Sequence, residues 1–158
     1  MQAVPAIQAD LPAWLRLAGE VEDLFGPMID DPQFPEAVER NIKRGTALCV
    51  RETPNVPGNA LAGGLLMSVH YPRYEISWLA VGGAWRGRGI GALLVRSALR
   101  DFAVAPGTVE VTTFGPDHPG RDARGFYEHL GFAPVLPLSA DGTRQTYRLR
   151  LLSCRKPS

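Results

Sequence analysis

Cysteine is scarce in this chain of 158 residues, which contains only Cys49 and Cys154. The two lie far apart in sequence and do not show the close spacing of ligands that is typical of zinc sites. We therefore expect no metal site, and we expect free thiols in a reducing cytoplasm. The sequence leaves open a disulfide bond between the two cysteines.

Long hydrophobic runs are missing as well. No apolar stretch approaches the roughly 18 residues of a membrane-spanning helix, and the first segment, MQAVPAIQAD, lacks the basic and then apolar profile of a secretory signal. Hydrophobic residues make up 45% and charged residues 21% of the chain, as in an ordinary globular protein. We expect a cytoplasmic protein of one domain, residues 1–158, with no membrane and no nucleic acid as partner.

Acidic residues are concentrated at the start of the chain. Residues 1–39 contain eight acidic residues and one basic residue, Arg16, so this segment has a net charge of −7. The whole chain has a net charge of +1, which leaves +8 for residues 40–158. The asymmetry has two explanations: solvated helix faces, or an acidic wall that attracts a cationic substrate beside a basic region that holds an anionic cofactor.

The spacing of apolar residues predicts both helices and strands. Three strands form an antiparallel meander, and the third leads into helix, strand, helix and strand, which is typical of a mixed α/β sheet. The pair Gly63–Gly64 in the second strand indicates a bulge. The predicted helices cover residues 11–25, 35–44, 89–104 and 120–130, and the predicted strands cover residues 47–52, 60–70, 74–81, 108–114 and 143–152.

The segment VGGAWRGRGIGALL, residues 81–94, joins a predicted strand to a predicted helix. The first N–H groups of a helix lack intrahelical partners and lie at the positive end of the helix dipole, so they favour a phosphate. The glycines let a ligand approach the backbone closely, and Arg86 and Arg88 add positive charge. The segment therefore predicts a binding site for a pyrophosphate group.

Two other phosphate motifs compete for this segment. A nucleoside-triphosphate P-loop requires Gly-Lys-Ser/Thr, and the segment contains no lysine. The dinucleotide fingerprint fits better, because Gly87-x-Gly89-x-x-Ala92 matches its glycines and Glu110 lies where a ribose-binding acid would follow. However, five residues separate Val81 from Gly87, whereas that fingerprint follows its strand directly.

Two blocks of the sequence resemble the GNAT superfamily of acyl-CoA-dependent N-acyltransferases. Residues 86–92, RGRGIGA, match its signature Arg/Gln-x-x-Gly-x-Gly/Ala and follow a strand that ends in WLAV. Residues 123–134, ARGFYEHLGFAP, resemble its Ala-x-x-hydrophobic-Tyr-Glu-x-x-Gly-Phe segment. The resemblance covers residues 45–152 and implies a single-domain α/β fold: a mixed, strongly twisted sheet, with an antiparallel meander followed by parallel, splayed strands, and helices on both faces.

The resemblance also implies acetyl-CoA as the acyl donor and assigns its contacts. Leu79, Ala80 and Val81 should pair with the pantetheine amides and polarise the thioester carbonyl. Tyr127 should lie near the CoA sulfur and protonate the leaving thiolate. The pyrophosphate should be bound by the loop residues Arg86, Gly87, Arg88, Gly89, Ile90, Gly91 and Ala92.

Glu75 is the candidate general base. It lies eleven residues before Arg86, the spacing at which the histone-acetylating branch of the family carries its catalytic glutamate. An ammonium must lose a proton before its nitrogen attacks a thioester, and a carboxylate among apolar neighbours can take that proton directly or through water. Phe114 and His118 lie where the family's acceptor site opens and are candidate substrate contacts, whereas Gly120 replaces an Asn that many members use to contact the cofactor.

The sequence thus predicts an N-acetyltransferase that moves an acetyl group from acetyl-CoA to a primary amine by direct transfer in a ternary complex. The acceptor would be a small-molecule or peptide amine, and a homodimer is compatible with the resemblance. Two alternatives stay open: a non-catalytic acyl-CoA-binding sensor domain and an NAD-dependent oxidoreductase. The identity of the amine also stays open, because the N-terminal helices match the family only in predicted type.

Overall fold

The computed structural model describes residues 1–21, 33–114, 123–135, 139–140 and 142–152. Its strands, in chain order, are β1 (Val4–Pro5), β2 (Ala47–Arg51), β3 (Leu61–His70), β4 (Arg73–Val81), β5 (Gly107–Phe114), β6 (Ala133–Val135) and β7 (Arg144–Leu151). Its α-helices are α1 (Leu11–Glu20), α2 (Gln33–Arg44), α3 (Ile90–Phe102) and α4 (Ala123–His129). The strands form one mixed sheet in the order β1–β2–β3–β4–β5–β7–β6. None of the described helices combines the length and the apolar character that crossing a bilayer requires.

The apolar spacing predicts the longer elements correctly. Each predicted helix and strand has a counterpart, and within the described residues the ends agree to within two residues. Residues 22–25 and 120–122 of the predicted helices lie outside the described residues. The sequence did not predict β1 and β6. These strands have two and three residues, too few for an alternating pattern to be recognised.

The chain divides into two compact units. The first unit comprises Met1–Ser68 and Trp78–Phe102, and the second unit comprises Val69–Ser77 and Ala103–Ser158. The core of the first unit is formed by apolar residues of the N-terminal segment, α1, α2 and the strands, including the fully buried Trp14.

In the first unit, helices pack on both faces of β3. A Cβ built on Gly63 would lie 3.0 Å from Ile90 Cγ2 and 3.1 Å from Leu94 Cδ1, and a Cβ built on Gly64 would lie 2.8 Å from Trp14 Cζ2. Successive strand residues point to opposite faces, so α3 approaches one face at Gly63 and α1 approaches the other at Gly64. Only glycine allows both approaches.

The predicted bulge is present, but it lies one residue earlier than expected. Val50 of β2 pairs with Gly63, whereas the next residue, Arg51, pairs with Leu61, so Ala62 is the extra residue of β3. The close approach of the two helices therefore explains both glycines. The bulge lies next to them, at Ala62, and does not itself require them.

A buried ion pair connects the N-terminal segment of the first unit to β2. Arg51 donates from Nε to Asp10 Oδ1 at 3.0 Å and from a terminal nitrogen to Oδ2 at 2.7 Å. The backbone N–H groups of Ile7 and Gly58 also donate to this carboxylate, at 2.9 and 3.1 Å. Burial alone would raise the pKa of the Asp10 carboxyl, but these hydrogen bonds together lower the pKa below its ordinary value.

In the second unit, β5 is paired on both sides. Its parallel ladder with β4 runs from Arg73–Thr108 to Ile76–Val111. Its antiparallel ladder with β7 runs over the full length of both strands. The buried side chains of these strands, together with α4, form the core of the unit: Tyr74, Ile76, Val109, Val111, Tyr127, Phe132 and Tyr147.

Candidate active site

The loop between β4 and α3 leaves backbone N–H groups accessible at the start of the helix. After a short 3₁₀ turn, Gly83–Trp85, the φ angles of Gly87 and Gly89 are +77° and +79°, a region in which a side chain is strained. α3 then begins at Ile90, and the N–H of Leu93 donates to the carbonyl of Gly89 at 3.0 Å. The preceding N–H groups of the helix have no intrahelical acceptor, which is the arrangement that an anion site requires.

Two exposed guanidinium groups accompany this loop. Arg86 Nε donates to the carbonyl of Val81 at 3.4 Å, and the Arg88 guanidinium lies 5.1 Å from the centre of the Trp85 ring. Trp85 Nε1 in turn donates to Glu52 Oε1 at 2.8 Å. Neither arginine forms an ion pair with another described residue, so both charges are available to an anionic ligand. Sequence reasoning missed Glu52, because the contact joins segments far apart in the chain.

The end of β4, Leu79–Val81, has backbone groups available to an extended ligand. Ala80 is buried in the core of the first unit, and its two neighbours are half-buried. The ladder between β4 and β5 ends at Ile76 opposite Val111, although β4 itself continues to Val81. In the described part of the chain, Leu79–Val81 therefore has no β5 partner, and the N–H and C=O groups on that edge can pair with a chain that adds like a strand.

Glu75 lies in the second unit, in a row of charged residues that crosses three strands. Its parallel neighbour is Glu110, and Glu110 is opposite Arg148 on β7. Arg148 donates to Glu110 Oε1 from Nε at 2.9 Å and from a terminal nitrogen at 2.7 Å. The expectation that Glu75 has apolar surroundings is wrong: its side chain is exposed, because the buried Tyr74 and Ile76 beside it point to the other face.

Tyr127 lies on α4 in the second unit and is only 6% exposed. Its ring packs against Phe126, Phe132 and Tyr147, with centroids 5.0, 5.8 and 6.3 Å away. Burial raises the pKa of Tyr127 far above its ordinary value. The hydroxyl group therefore stays protonated throughout the neutral range and can donate a hydrogen bond.

The remaining predicted positions include Phe114, at the end of β5, and others that lie outside the described residues. His118, Gly120 and Cys154 belong to segments that the structure does not describe. Cys49 is a free thiol buried in the first unit, and burial raises its pKa to about 12, which makes it unreactive. In the described ranges, no three His, Cys, Asp or Glu side chains are grouped as a metal site requires.

Known proteins share both sequence features and the fold of this chain. Residues 14–132 match the model of the acetyltransferase (GNAT) family. Among solved structures, a GNAT-family protein from Desulfovibrio desulfuricans has a TM-score of 0.73 and 19% identity over 92% of this chain and 94% of that chain. A GNAT-family acetyltransferase from Bacillus cereus has a TM-score of 0.71 and 16% identity, covering 96% and 98% of the two chains. No curated protein matches the chain in sequence.

A third solved structure contains coenzyme A. The PaiA N-acetyltransferase of Thermoplasma acidophilum, in complex with coenzyme A, has a TM-score of 0.68 and 12% identity, covering 94% of this chain and 98% of that chain. These structures share the fold, and the family model covers most of the sequence. The match and the mixed sheet together decide against a dinucleotide-binding oxidoreductase. The resemblance read from the two sequence blocks is confirmed, and the chain belongs to the GNAT family of acetyltransferases.

Proposed function

We propose that this protein transfers an acetyl group from acetyl-CoA to a primary amine by direct attack in a ternary complex, with the two units acting as one domain. One observation carries the proposal: a helix N-terminus, two glycines with positive φ and two guanidinium groups that form no ion pair with a described residue coincide in the loop after β4. Membership of the GNAT family supports acetyl transfer in general. The acceptor is a small-molecule or peptide amine.

The donor is held by backbone groups of the first unit. The pyrophosphate of acetyl-CoA binds the N–H groups of residues 87–92, and Arg86 and Arg88 neutralise its charge. The pantetheine amides pair with Leu79–Val81, and the N–H of Leu79 binds the thioester carbonyl oxygen. This N–H also stabilises the negative charge that develops on that oxygen during attack.

The chemistry requires a proton acceptor and a way to stabilise the leaving thiolate. The amine nitrogen attacks the thioester carbon, Glu75 or a water that it orients takes the nitrogen's proton, and the C–S bond breaks with its electron pair on sulfur. Tyr127 donates a hydrogen bond to that sulfur. Because the pKa of a thiol is about 8.5 and burial raises the pKa of Tyr127, complete proton transfer from the tyrosine is uphill. The hydrogen bond is its contribution, and the proton reaches sulfur through Glu75 or solvent.

The donor site is tested by one substitution and a matched control. Gly89→Asp places a side chain and a negative charge against the pyrophosphate, and isothermal calorimetry should show loss of acetyl-CoA binding. Gly45→Asp is the control, because a side chain is about equally strained at both positions: φ is +74° at Gly45 and +79° at Gly89. A Cβ at either position meets no described atom within 4 Å. Equal binding of acetyl-CoA by Gly89→Asp and the parent would remove the loop from the proposal.

Catalysis is tested by measuring CoA release with a panel of amines, peptides and polyamines. Turnover of any amine with formation of the N-acetyl product supports the proposal. Tight acetyl-CoA binding without turnover of any amine would favour the alternative of a non-catalytic acyl-CoA sensor.

A further inference from the structure

A tryptophan in the loop after β4 is held by a hydrogen bond that burial does not require. Trp85 is half-buried and ends the 3₁₀ turn, and its indole Nε1 donates to Glu52 Oε1 at 2.8 Å in an exposed contact. Trp14 and Trp78 pack in or against the core, and no described residue accepts a hydrogen bond from either indole. Water could satisfy the N–H group of Trp85 equally well, so the distinctive effect of Glu52 is to fix the orientation of the ring.

Both partners of this contact are anchored to the sheet of the first unit. The N–H of Trp85 donates to the carbonyl of Gly82 at 2.9 Å, and the N–H of Gly82 donates to the carbonyl of Ala62 on β3 at 2.8 Å. Glu52 directly follows the last residue of β2, and its N–H donates to the carbonyl of Ala60 at 2.8 Å. The indole ring is therefore fixed through its backbone and through its N–H group.

The fixed ring carries a guanidinium group. The guanidinium carbon of Arg88 lies over the Trp85 ring, 5.1 Å from its centre. A guanidinium that stacks on an aromatic ring keeps its N–H groups free in its own plane, where they can donate to a phosphate. In the described ranges Arg88 has no carboxylate partner. Trp85 thus restricts the position of this side chain without using its hydrogen-bond donors.

The charge of Glu52 does not account for its place in this arrangement. Glu52 is exposed and forms no ion pair with a residue that the structure describes. A carboxylate this close to the loop opposes the binding of an anion there through its charge. What favours an anion is therefore the hydrogen bond that Glu52 accepts.

We infer that Trp85 and Glu52 position Arg88 for the pyrophosphate of acetyl-CoA. Glu52 fixes the indole ring, and the ring holds the guanidinium beside the start of α3. This inference rests on the proposed acetyl-CoA site. Both are positioning residues, because they act through Arg88 and need no contact with the cofactor.

A double-mutant cycle on acetyl-CoA binding, measured by isothermal calorimetry, tests the coupling between Trp85 and Arg88. Arg88→Gln should raise Kd about tenfold, as on loss of a hydrogen bond to a charged group. Trp85→Leu should raise Kd of the parent about two- to fivefold, the range expected for an exposed cation–π contact. In the Arg88→Gln background, Trp85→Leu should have no further effect.

Arg86 provides the matched control. It adjoins Trp85 in sequence, but its Nε donates to the carbonyl of Val81. Trp85→Leu should therefore raise Kd by the same factor in Arg86→Gln as in the parent. A general disturbance of the loop would appear in both arginine backgrounds, so an equal effect of Trp85→Leu in Arg86→Gln and Arg88→Gln would overturn the inference.

Two substitutions of Glu52 separate its hydrogen bond from its charge. Glu52→Gln and Glu52→Ala both remove the negative charge, but only the glutamine retains an acceptor for the indole. Kd should therefore be about twofold higher in Glu52→Ala than in Glu52→Gln. This difference should vanish in Trp85→Phe, which keeps an aromatic ring and has no N–H group. Equal values of Kd in the two Glu52 variants would remove Glu52 from the inference.

The result for Arg88→Gln separates this inference from the proposed function. An unchanged Kd in Arg88→Gln would remove Arg88 from the proposed pyrophosphate site, and the inference would fail with it. A raised Kd in Arg88→Gln, together with an unchanged Kd in Trp85→Leu, would overturn the inference alone and leave the donor site in place.

Discussion

Each unit contains an arginine–carboxylate pair with nearly equal donor–acceptor distances, and the two pairs differ in exposure. Arg51 donates to both oxygens of Asp10, whereas Arg148 donates twice to one oxygen of Glu110. In the first unit, Asp10 and Arg51 are joined at 2.7 and 3.0 Å and are 0% and 9% exposed. In the second unit, Glu110 and Arg148 are joined at 2.7 and 2.9 Å and are 39% and 37% exposed. Bonds of nearly equal length thus have different consequences. Loss of one partner of the buried pair is expected to destabilise the first unit strongly. The exposed pair contributes little to stability and places charge beside Glu75, a candidate catalytic residue.

The largest expected effect comes from breaking the buried pair. Asp10→Asn leaves the Arg51 charge buried without a counter-ion, and the free energy of unfolding should fall by about 3–5 kcal/mol. Urea denaturation of the parent and the variant measures it. Replacing both residues, in Asp10→Asn/Arg51→Met, should restore part of the loss, and a double variant less stable than Asp10→Asn would contradict this account.

The same pair predicts a pH dependence of stability. Because the pKa of Asp10 is lower in the folded state, its contribution to stability is fully present above the unfolded pKa of about 3.9. It is lost as the pH falls from there through the folded pKa. The difference in unfolding free energy between the parent and Asp10→Asn should therefore shrink below about pH 4, and a difference that stays constant down to pH 2 would exclude this linkage.

The next largest effect is expected from substitution of Glu75, in the row of charged residues of the second unit. In Glu75→Gln, kcat should fall on the order of 10²-fold, as on removal of a general base, and should recover partly at high pH, where more of the amine is neutral. Acetyl-CoA affinity should stay nearly unchanged. Glu110→Gln, its neighbour in the same row, is the control. A larger loss of kcat in Glu110→Gln than in Glu75→Gln would assign the base to Glu110.

A smaller effect is expected from Tyr127→Phe, which keeps the packed ring and removes the hydrogen-bond donor. We expect about a tenfold lower kcat, the lower end of the range for one hydrogen bond to a charged group, with acetyl-CoA binding retained. Since burial raises the pKa of Tyr127, ionisation of this residue should not lower kcat of the parent below pH 10. Tyr147→Phe, another buried tyrosine of this unit, should have no effect, and equal losses in the two variants would point to packing alone.

The smallest effect should come from breaking the exposed pair. Arg148→Met should change the free energy of unfolding by less than about 1 kcal/mol, because both charges of the pair are partly solvated. Thermal unfolding at low and high salt would measure this change. A destabilisation as large as that of Asp10→Asn would remove the contrast between the two pairs.

The backbone conformation of the loop after β4 could be predicted from sequence because its features are local. Gly87, Gly89 and the start of α3 at Ile90 lie within four consecutive residues. The glycines themselves therefore indicate where the backbone takes positive φ angles. The surroundings of side chains could not be predicted in this way. The exposure of Glu75 and the pairing of Glu110 with Arg148 depend on strand register between distant segments. For the same reason the acidic count of residues 1–39 included Asp10, whose charge is offset inside the protein by Arg51.

The two adjacent glycines of β3 have a consequence for the dynamics of the first unit. The sheet there is only one backbone thick, with the Trp14 ring against one side and Ile90 and Leu94 against the other. Gly64 also pairs with Cys49 in the interior of the sheet. Both amides lie in the plane of the sheet, between neighbouring strands and beneath helices on both faces, so water reaches them only when the strand separates from its neighbours. Their hydrogen exchange with deuterium should therefore require opening of the whole unit and report its global stability.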